Sequence, residues 1–328
     1  MKVQIYGMGH ALPARILTNQ ELEQMVDTSD QWIVERTGIR ERRIGAAGTA
    51  TSDLAYEAAR MALERAGVKA GQVDLIIVAT ATPDMLFPST ACLVQERLQA
   101  SNAAAFDLAA GCTGFVYALS VAEKFLLSPD NKYILVIGAE MCSRMVDYSD
   151  RNTAVLFGDG AGAALVGGGN GENGMLGTYL GAEGSGAKYL YMPAGGSAMP
   201  ASHETVENKM HYVRMNGQEI FKFATSILPA VGDRLLAQSG LRYEDVDLFV
   251  PHQANLRIIK TAIKRSQIPL EKTLLNIHKY GNMSAACIPV ALSEAEQEGK
   301  LKAGDLVLMI AFGAGLTYGG ALLRWGKD

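Results

Sequence analysis

One cysteine of the chain stands where a thiol could act as a nucleophile. Cys112 lies in DLAAGCTGFVYAL, between an apolar run typical of a strand and a segment typical of a helix. At a helix N-terminus the unpaired N–H groups and the helix dipole stabilise a thiolate, so we expect a pKa below the ordinary value of about 8.5. Gly111 and Gly114 would allow a sharp turn and close approach of a substrate. The alternative is a small buried hydrophobic side chain, as most free cysteines are.

A cysteine nucleophile needs partners, and two polar residues of the second half of the chain are candidates. His252 comes directly after Pro251 in DLFVPHQANLRII, at the end of an apolar run, which is where α/β folds present functional groups. Asn282 follows Gly281 in HKYGNMSAA. Each has a structural alternative: the histidine could be a hydrogen-bonded core residue, and the Gly-Asn pair could be a simple turn.

The elements that must position these residues alternate between strand and helix. The runs 73–81 and 132–140 are short, apolar and rich in branched residues, which predicts strands buried on both faces. The segment SDLAYEAARMALERAG has helical spacing, with Ser52 or Asp53 as its cap and Gly67 as its stop. Strands that alternate with helices predict a layered α/β fold.

An internal repeat extends this prediction to the whole chain. Aligning AGVKAGQVDLIIVAT with SGLRYEDVDLFVPHQ places Gly67 over Gly240, an offset of 173 residues, and the same offset aligns ALSVAE with ALSEAE and ILVI with VLMI. The offset shortens later, so the first half carries an extra segment at about 141–157. Two halves packed about a pseudo-twofold axis are expected. Cys112 then falls opposite Ala285, with both helix starts at a shared centre.

Composition limits the partners. The chain has 328 residues, 48% of them hydrophobic, and a net charge of −4 without a long basic run, which disfavours nucleic-acid binding. No signal-peptide pattern and no apolar stretch near the roughly 20 residues of a membrane span is present, so a cytoplasmic protein without a membrane segment is expected. The cysteines are far apart, which argues against a disulfide framework and a structural metal site. They are Cys92, Cys112, Cys142 and Cys287.

Several segments together resemble one family. DTSDQWIVERTGIRERR, FDLAAGCTGFVYAL, TAVLFGDGAGAALV, VPHQANLRII, KYGNMSAACIPVAL and GAGLTYGGALLRWG are similar to the signature segments of β-ketoacyl-[acyl-carrier-protein] synthase III, a condensing enzyme with the thiolase fold that starts fatty-acid synthesis. The resemblance covers practically the whole chain. It implies two thiolase-like βαβαβαββ halves, residues 1–172 with the cysteine and 173–328 with the histidine and asparagine, in a five-layered αβαβα arrangement.

The resemblance also implies a mechanism without a cofactor or metal. Cys112, His252 and Asn282 match the catalytic triad of the family. An acyl-CoA, with acetyl-CoA or another short primer expected, would acylate the cysteine. Decarboxylation of malonyl-acyl carrier protein would leave an enolate held by the histidine and the asparagine. Backbone N–H groups of Cys112 and Ala314 would hold the tetrahedral oxyanion, and the products would be 3-ketoacyl-acyl carrier protein, CO2 and CoA.

The family's binding residues map onto further positions. Coenzyme A and its pantetheine arm would contact Thr28, Trp32, Arg36, Arg151, Phe221 and Asn255. The acyl pocket would include Phe87, Cys142 and Phe157. Acyl carrier protein, which is acidic, would meet Lys222, Gln253, Ala254, Arg257, Lys264 and Arg265. Because Phe87 matches the residue that reaches the partner's acyl pocket, a homodimer is expected.

The chain departs from the family pattern in places. Ala314 interrupts a loop that is commonly three glycines, so a positive φ there would strain the second oxyanion donor. Met283 stands where a threonine is usual after the asparagine. The segment 191–211 looks longer than usual. These changes bear on acyl selectivity.

Other functions match parts of the sequence less well. IYGMGHALP suggests a dinucleotide-binding oxidoreductase, but it lacks the third glycine, and Pro13 disfavours the required helix. A papain-like hydrolase shares the residue types but has a different local cysteine signature. A related condensing enzyme of specialised metabolism and a non-catalytic paralogue remain alternatives.

Overall fold

A computed structural model describes residues 2–327 of the chain. Its strands are β1 Lys2–Ala11, β2 Arg15–Thr18, β3 Glu41–Ile44, β4 Leu75–Ala79, β5 Ala104–Leu108, β6 Tyr133–Met141, β7 Asp159–Gly169, β8 Gly174–Ala182, β9 Leu190–Tyr191, β10 Arg214–Met215, β11 Leu248–Pro251, β12 Leu306–Gly313 and β13 Thr317–Arg324. Its helices are α1 Asn19–Glu23, α2 Asp30–Thr37, α3 Thr51–Ala66, α4 Thr90–Leu98, α5 Gly114–Phe125, α6 Arg151–Ala154, α7 His203–Glu207, α8 Gly217–Gln238, α9 Leu256–Ser266, α10 Ile277–Tyr280 and α11 Cys287–Gln297.

Two sheets of matching topology form the frame. The first has the strand order β1-β7-β6-β4-β5, and the second has the order β8-β13-β12-β11. A fifth position in the second sheet is reduced to one parallel bridge between Phe249 and Thr273. Within each half the crossover strands run parallel, while β7 and β13 pair antiparallel with their neighbours. The two halves therefore have the same architecture, as the repeat predicts.

Helices and sheets stack in five layers. The central hydrophobic core joins α5 and α11 to the inner faces of both sheets. A second cluster packs α3 and α4 on the outer face of the first sheet, and a third packs α8 and α9 on the outer face of the second. The predicted αβαβα arrangement is confirmed. Since α5 and α11 are covered by a sheet on each side, whatever lies at their N-termini is deep in the protein.

The predicted elements are found close to their expected bounds. The strands expected at 73–81 and 132–140 are β4 and β6. The expected helix is α3, which begins at Thr51, so the cap position is Ala50 and the predicted cap at Ser52 or Asp53 is wrong. The helix ends at Gly67, whose φ of +68° closes it in the left-handed conformation. The stretch that suggested a dinucleotide-binding loop is instead the strand β1, paired along its length with β7, so that interpretation is excluded.

The offset of the repeat also holds for the local structure. The 3₁₀ turn Gly111–Thr113 leads into α5, and its counterpart Ser284–Ala286 leads into α11. Residues 142–158 between β6 and β7 form the predicted extra segment, with α6 inside it, whereas β12 and β13 are joined by only 314–316. The division of the chain after residue 172 falls in the turn between β7 and β8 and stays a prediction.

Among residues 2–327, no helix combines the length and apolar character that a transmembrane span requires.

Two glycines of the first sheet permit the close approach of the second half. Gly138 and Gly162 are opposite each other in β6 and β7. A Cβ at Gly138 would collide with the carbonyl oxygen of Ala285, and one at Gly162 would lie 2.6 Å from the backbone nitrogen of Val290. The start of α11 thus packs directly against the backbone of β6 and β7, where there is no space for a side chain.

We expect Gly162→Ala to lower the free energy of unfolding by about 1–3 kcal/mol, because the added methyl group overpacks a close contact between sheet and helix. Gly177→Ala is the matched control, since this glycine is also in a strand and has no heavy atom within 4 Å of the added Cβ. Urea unfolding of the two variants measures the difference. Equal stabilities would contradict the packing interpretation.

Candidate active site

The side chains of Cys112, His252 and Asn282 meet at one buried chamber. All three line a cavity of about 100 Å³ at the centre of the molecule. Cys112 comes from the 3₁₀ turn before α5, His252 from the end of β11, and Asn282 from the loop after α10. Each is at most 9% exposed. Cys112 is thus brought together with two residues that lie 140 and 170 positions further along the sequence, as predicted.

An outer cleft leads to this chamber. The cleft has a volume of about 860 Å³, and it shares Leu156, Met215, Gly217, Phe221 and Asn255 with the chamber lining. Its described lining residues include three cations and no carboxylate. The cations are Arg36, Lys222 and Arg257. The cleft is therefore suited to an anionic ligand with a narrow extension that reaches the chamber.

The turn that carries Cys112 has the expected geometry. Gly111 has a φ of +52°, which a glycine adopts without strain. A Cβ at Gly114 would lie 3.3 Å from the Cβ of Ala285, so the starts of α5 and α11 are in contact. The shared centre expected from the repeat is confirmed.

The predicted effect on the thiol is wrong in direction. Burial raises the pKa of Cys112 to about 12; the neighbouring Ser284 offsets only part of this rise, and the charge of Glu140 adds to it. The helix N-terminus favours the thiolate, but the loss of solvation is the larger effect in an interior position. Burial therefore favours the neutral thiol of Cys112.

His252 is a neutral imidazole in an apolar setting. Burial lowers its pKa to about 3. Its ring packs edge-on against Phe312 with centroids 5.7 Å apart, and its Nδ1 has no hydrogen-bond partner among the described residues. The backbone is fixed by a bond from the N–H of His252 to Ile310 on β12. Such a histidine can donate a hydrogen bond without titrating near pH 7.

Asn282 is held by the first half of the chain. Its backbone N–H donates to Leu156, and its carbonyl accepts from the N–H of Gly158, at 2.9 and 3.0 Å. Its side-chain Oδ1 accepts from the N–H of Ser284 at 2.8 Å. Because Oδ1 is engaged in this way, the Nδ2 group is the part of the amide left to donate toward the chamber.

The glycine-rich loop after β12 lies against the cysteine. A Cβ at Gly313 would be 2.7 Å from the backbone nitrogen of Cys112, and Ala314 lies beside Gly111. Ala314 does not have a positive φ, and the residue of this loop that does is Gly315. The backbone strain considered for Ala314 in the sequence is therefore not present. Its part in an oxyanion hole stays a prediction.

The expected coenzyme A residues lie mainly around the cleft. Trp32 and Arg36 line its mouth, while Phe221 and Asn255 stand where the cleft meets the chamber. The guanidinium carbons of Arg36 and Arg151 lie 6.0 and 4.9 Å from the centroid of the half-buried Trp32 ring. Thr28, by contrast, precedes the cap of α2 and is not among the residues that line the cleft.

The three expected acyl-pocket residues are not together. Phe157 lines the chamber. Cys142 is fully buried behind it, in the same hydrophobic cluster, and does not reach the chamber lining. Phe87 is 84% exposed beside Leu86, which is 82% exposed, on the loop before α4. Met283 is also fully buried, in a small cluster with Tyr280 and Val290, away from the chamber.

The expected carrier-protein patch is only partly at the surface. Lys222, Arg257, Lys264 and Arg265 are exposed on α8 and α9, and the first two line the cleft. Gln253 does not belong to this patch, because it is fully buried. Its amide donates to Pro251 and Leu274 and accepts from the start of α10. Ala254 lines the chamber instead.

The backbone of residues 156–158 holds Asn282, a role that sequence reasoning missed, although it had placed the side chain of Phe157 in the acyl pocket. They hold Asn282 through a parallel bridge between Phe157 and Asn282, using backbone groups. Arg42, fully buried, holds the same segment by donating to the carbonyl of Val155 at 2.9 Å. The sequence carried one hint of this, since the extra segment found by the repeat ends here.

Comparison with known proteins adds independent findings. The family model described as 3-oxoacyl-[acyl-carrier-protein (ACP)] synthase III matches residues 106–184, and the model of its C-terminal part matches residues 236–325. The β-ketoacyl-[acyl-carrier-protein] synthase III of Syntrophomonas wolfei is 71% identical over all of this chain and 99% of that protein. The enzyme of the same name from Caldanaerobacter subterraneus is 55% identical over 98% of each chain.

A solved structure agrees over the whole length. The crystal structure of 3-oxoacyl-[acyl-carrier-protein] synthase III from Aquifex aeolicus covers 98% of this chain and 100% of its own, with a TM-score of 0.91 and 48% identity. The duplicated fold and these matches define a condensing enzyme of the thiolase fold. Within that class, the chain belongs to the β-ketoacyl-[acyl-carrier-protein] synthase III family of acyltransferases, and the resemblance seen in the sequence is confirmed.

The lowered pKa of His252 predicts a pH dependence of stability. Between about pH 3 and 6.5 the unfolded histidine binds a proton that the folded one does not, so the free energy of unfolding falls as the pH falls, by up to about 1.4 kcal/mol per pH unit. We expect His252→Asn to remove this slope. Urea unfolding at several pH values measures it in both proteins. Above about pH 6.5 the free energy of unfolding should depend on pH equally in the two proteins. An equal dependence below about pH 6.5 as well would contradict the assignment.

Proposed function

We propose that this protein is an initiating condensing enzyme of type II fatty-acid synthesis that joins a short acyl-CoA primer to malonyl-acyl carrier protein. The observation that carries the proposal is the continuity of the cationic cleft with the buried chamber that Cys112, His252 and Asn282 line. A thioester arm that enters from the cleft brings its carbonyl to the cysteine. The products are 3-ketoacyl-acyl carrier protein, CO2 and CoA.

The first half-reaction is acyl transfer to Cys112. The sulfur attacks the thioester carbonyl, CoA leaves, and the acyl group stays on the enzyme, so that one difficult condensation becomes two easier steps. The oxyanion formed during attack lies near the backbone N–H groups of Cys112 and Ala314, which we assign as its donors. No metal or organic cofactor has a part in this chemistry, since the thioester supplies the activation.

The second half-reaction forms and uses a carbanion. Loss of CO2 from the malonyl group leaves an enolate, whose oxygen needs donors in a water-poor site. His252 and the Nδ2 group of Asn282 fill this role, because both are buried and neither changes charge near neutral pH. The carbanion then attacks the acyl group on Cys112.

Coenzyme A is assigned to the outer cleft. Trp32 offers a ring face for the adenine, and Arg36 and Arg151 offer cations for stacking and for phosphates. Arg151 lies over the ring and donates a hydrogen bond to the carbonyl of Asp27. Adenine binding between Trp32 and Arg151 therefore requires this arginine to swing outward. Thr28, Phe221 and Asn255 complete the assignment.

The carrier protein is assigned to the mouth of the cleft. Lys222, Arg257, Lys264 and Arg265 form a basic surface on a chain of net charge −4, which suits an acidic partner. We also propose a homodimer. The exposed Leu86 and Phe87 support it, because two large apolar side chains more than four-fifths exposed gain from burial against a second copy. A cytoplasmic location agrees with these partners.

Incubation with acyl-CoA alone tests the first half-reaction. We expect intact-mass spectrometry to show one acyl adduct, and peptide mapping to place it on Cys112. Cys112→Ala should give no adduct while it unfolds at the wild-type temperature, because a small residue fits the same buried turn. A panel of acyl-CoAs of increasing length then defines the primer. A wild-type protein that takes no adduct from any acyl-CoA would contradict the proposal.

Separate assays of the half-reactions test the two donors. For His252→Ala and Asn282→Ala we expect decarboxylation of malonyl-acyl carrier protein to fall about a hundredfold or more, since each variant removes one donor from the enolate. Acylation of Cys112 should fall less. Gln297→Ala, on the exposed end of α11, is the control. Equal losses in the two half-reactions would show that these donors are wrongly assigned.

A further inference from the structure

Arg42 is a cation in the interior of the protein. The residue has no solvent exposure, although arginine is seldom fully buried. Burial lowers the pKa of its guanidinium to about 10, so the group is still charged near pH 7. Its Nε has no hydrogen-bond partner among the described residues. A buried charge of this kind is unfavourable by itself, so its presence indicates a task that an apolar side chain could not perform.

The guanidinium of Arg42 joins two parts of the first half of the chain. Its Nη1 donates to the carbonyl of Leu17 at 3.1 Å and to Oδ1 of Asn19 at 2.9 Å. Its Nη2 donates to the carbonyl of Val155 at 2.9 Å, directly before the segment 156–158. All three acceptors are neutral oxygens, so the guanidinium acts here as a planar fork of donors that connects separate backbone segments.

Asn19 fixes one side of this fork. It is fully buried, and its Nδ2 donates to Oδ1 of Asp30 at 2.8 Å and to the carbonyl of Ile39 at 2.9 Å. Asp30 is the first residue of α2, and Ile39 follows the end of that helix. Because Nδ2 is engaged in this way, Oδ1 of Asn19 is directed to Arg42. The arginine is therefore anchored to the helix that lines the outer cleft.

The backbone of Arg42 packs against the bridge between Phe157 and Asn282. A Cβ at Gly158 would lie 3.1 Å from the Cβ of Arg42, and a Cβ at Gly281 would lie 3.4 Å from it. These glycines adjoin the bridge, since Gly158 follows Phe157 and Gly281 precedes Asn282. Arg42 therefore contacts the bridge at its Cβ and holds the segment that enters it with its guanidinium.

The bridge fixes the amide that the proposed mechanism uses. The backbone N–H of Asn282 donates to Leu156, and its carbonyl accepts from Gly158. A shift of this segment would carry the backbone of Asn282 with it and move the Nδ2 group away from the enolate oxygen. Misplacement of a reacting or donating group by about 1 Å can lower a rate on the order of a hundredfold, even when the altered residue is remote.

We propose that Arg42 is a positioning residue for the decarboxylation step, which acts on Asn282 through residues 155–158. The inference deepens the proposed function and rests on it, because it requires Asn282 to hold the enolate. Arg42 is not among the described residues that line the cleft or the chamber, so it acts at a distance. Acylation depends less on it, because the turn that carries Cys112 packs against the loop that begins at Gly313.

Separate assays of the half-reactions of Arg42→Met test this role. Methionine is long, unbranched and apolar, so it occupies the space of the arginine stem and removes every N–H donor. We expect decarboxylation of malonyl-acyl carrier protein to fall about tenfold to a hundredfold at saturating substrate. Single-turnover acylation of Cys112 by saturating acetyl-CoA, quenched and read by intact mass, should proceed at the wild-type rate.

A double-mutant cycle with Asn282→Ala distinguishes positioning from general support of the fold. Because Arg42 acts through Asn282, Arg42→Met should cost little further decarboxylation once residue 282 is alanine. A structural role would lower the rate by the same factor in either background. Thermal unfolding of each variant shows whether it is folded at the assay temperature.

Arg42→Lys provides a second, conservative variant. Lysine keeps the charge but loses the planar fork, so it cannot hold Asn19 and Val155 together in the same geometry. Its decarboxylation rate should lie between those of wild type and Arg42→Met, with acylation unchanged. If Arg42→Met does not fold, the same cycle with Arg42→Lys decides the question.

Arg65→Met is the matched control. Arg65 is partly buried, and it likewise donates to a backbone carbonyl, that of Met8, at 3.1 Å. It is not among the described residues that line the cleft or the chamber. We expect this variant to carry out both half-reactions at the wild-type rates.

Three results would overturn the positioning role alone. The first is decarboxylation by Arg42→Met at the rate of Arg65→Met, and the second is an equal loss in both half-reactions. The third is a loss from Arg42→Met that is the same with asparagine and with alanine at position 282. A wild-type protein that neither forms an adduct on Cys112 nor decarboxylates malonyl-acyl carrier protein would instead overturn the proposed function. The two failures are thus distinguishable.

Discussion

The site depends on the contact between the N-termini of two helices in the middle of the molecule. α5 and α11 start against each other, with a sheet above and a sheet below, and the contact is possible because Gly114 and Ala285 present almost no side chain. Every reactive group is attached to this contact or to a strand end beside it. Since the contact is interior, each group loses most of its solvation, and its charge state follows from that loss.

This constraint explains why the site is built from both halves. Asn282 belongs to the second half, but its backbone is paired with residues 156–158 of the first half. Gly138 belongs to the first half and lies against Ala285, in the turn before α11. Backbone pairing across the pseudo-twofold axis fixes these atoms more firmly than flexible side chains could, and a buried, exactly placed donor is what charge development in a transition state requires.

The sequence was sufficient to predict the fold and the meeting of Cys112, His252 and Asn282 at one centre, because period and the repeat are local or self-similar signals. α3 and the strands β4 and β6 were predicted within about two residues, a normal boundary error. Prediction from the sequence failed where a property depends on how deeply the folded protein buries a residue. The pKa of Cys112 was predicted to fall and instead rises, because helix position can be read from a sequence but desolvation cannot. Gln253 lies between His252 and Ala254, which line the chamber, and was predicted to meet a partner at the surface, yet it is a fully buried amide.

The shared lining of cleft and chamber also has a kinetic consequence. A chamber of about 100 Å³ holds one small acyl group, and the five residues common to both cavities form one passage between the surface and the sulfur. Two pantetheine arms that use this passage cannot occupy it together. The first leaving group must depart before the second substrate arrives, so the order of events is imposed by the shape of the entrance. Double-reciprocal plots for the two substrates would then be parallel lines, and each substrate at high concentration would inhibit by occupying the other's form of the enzyme.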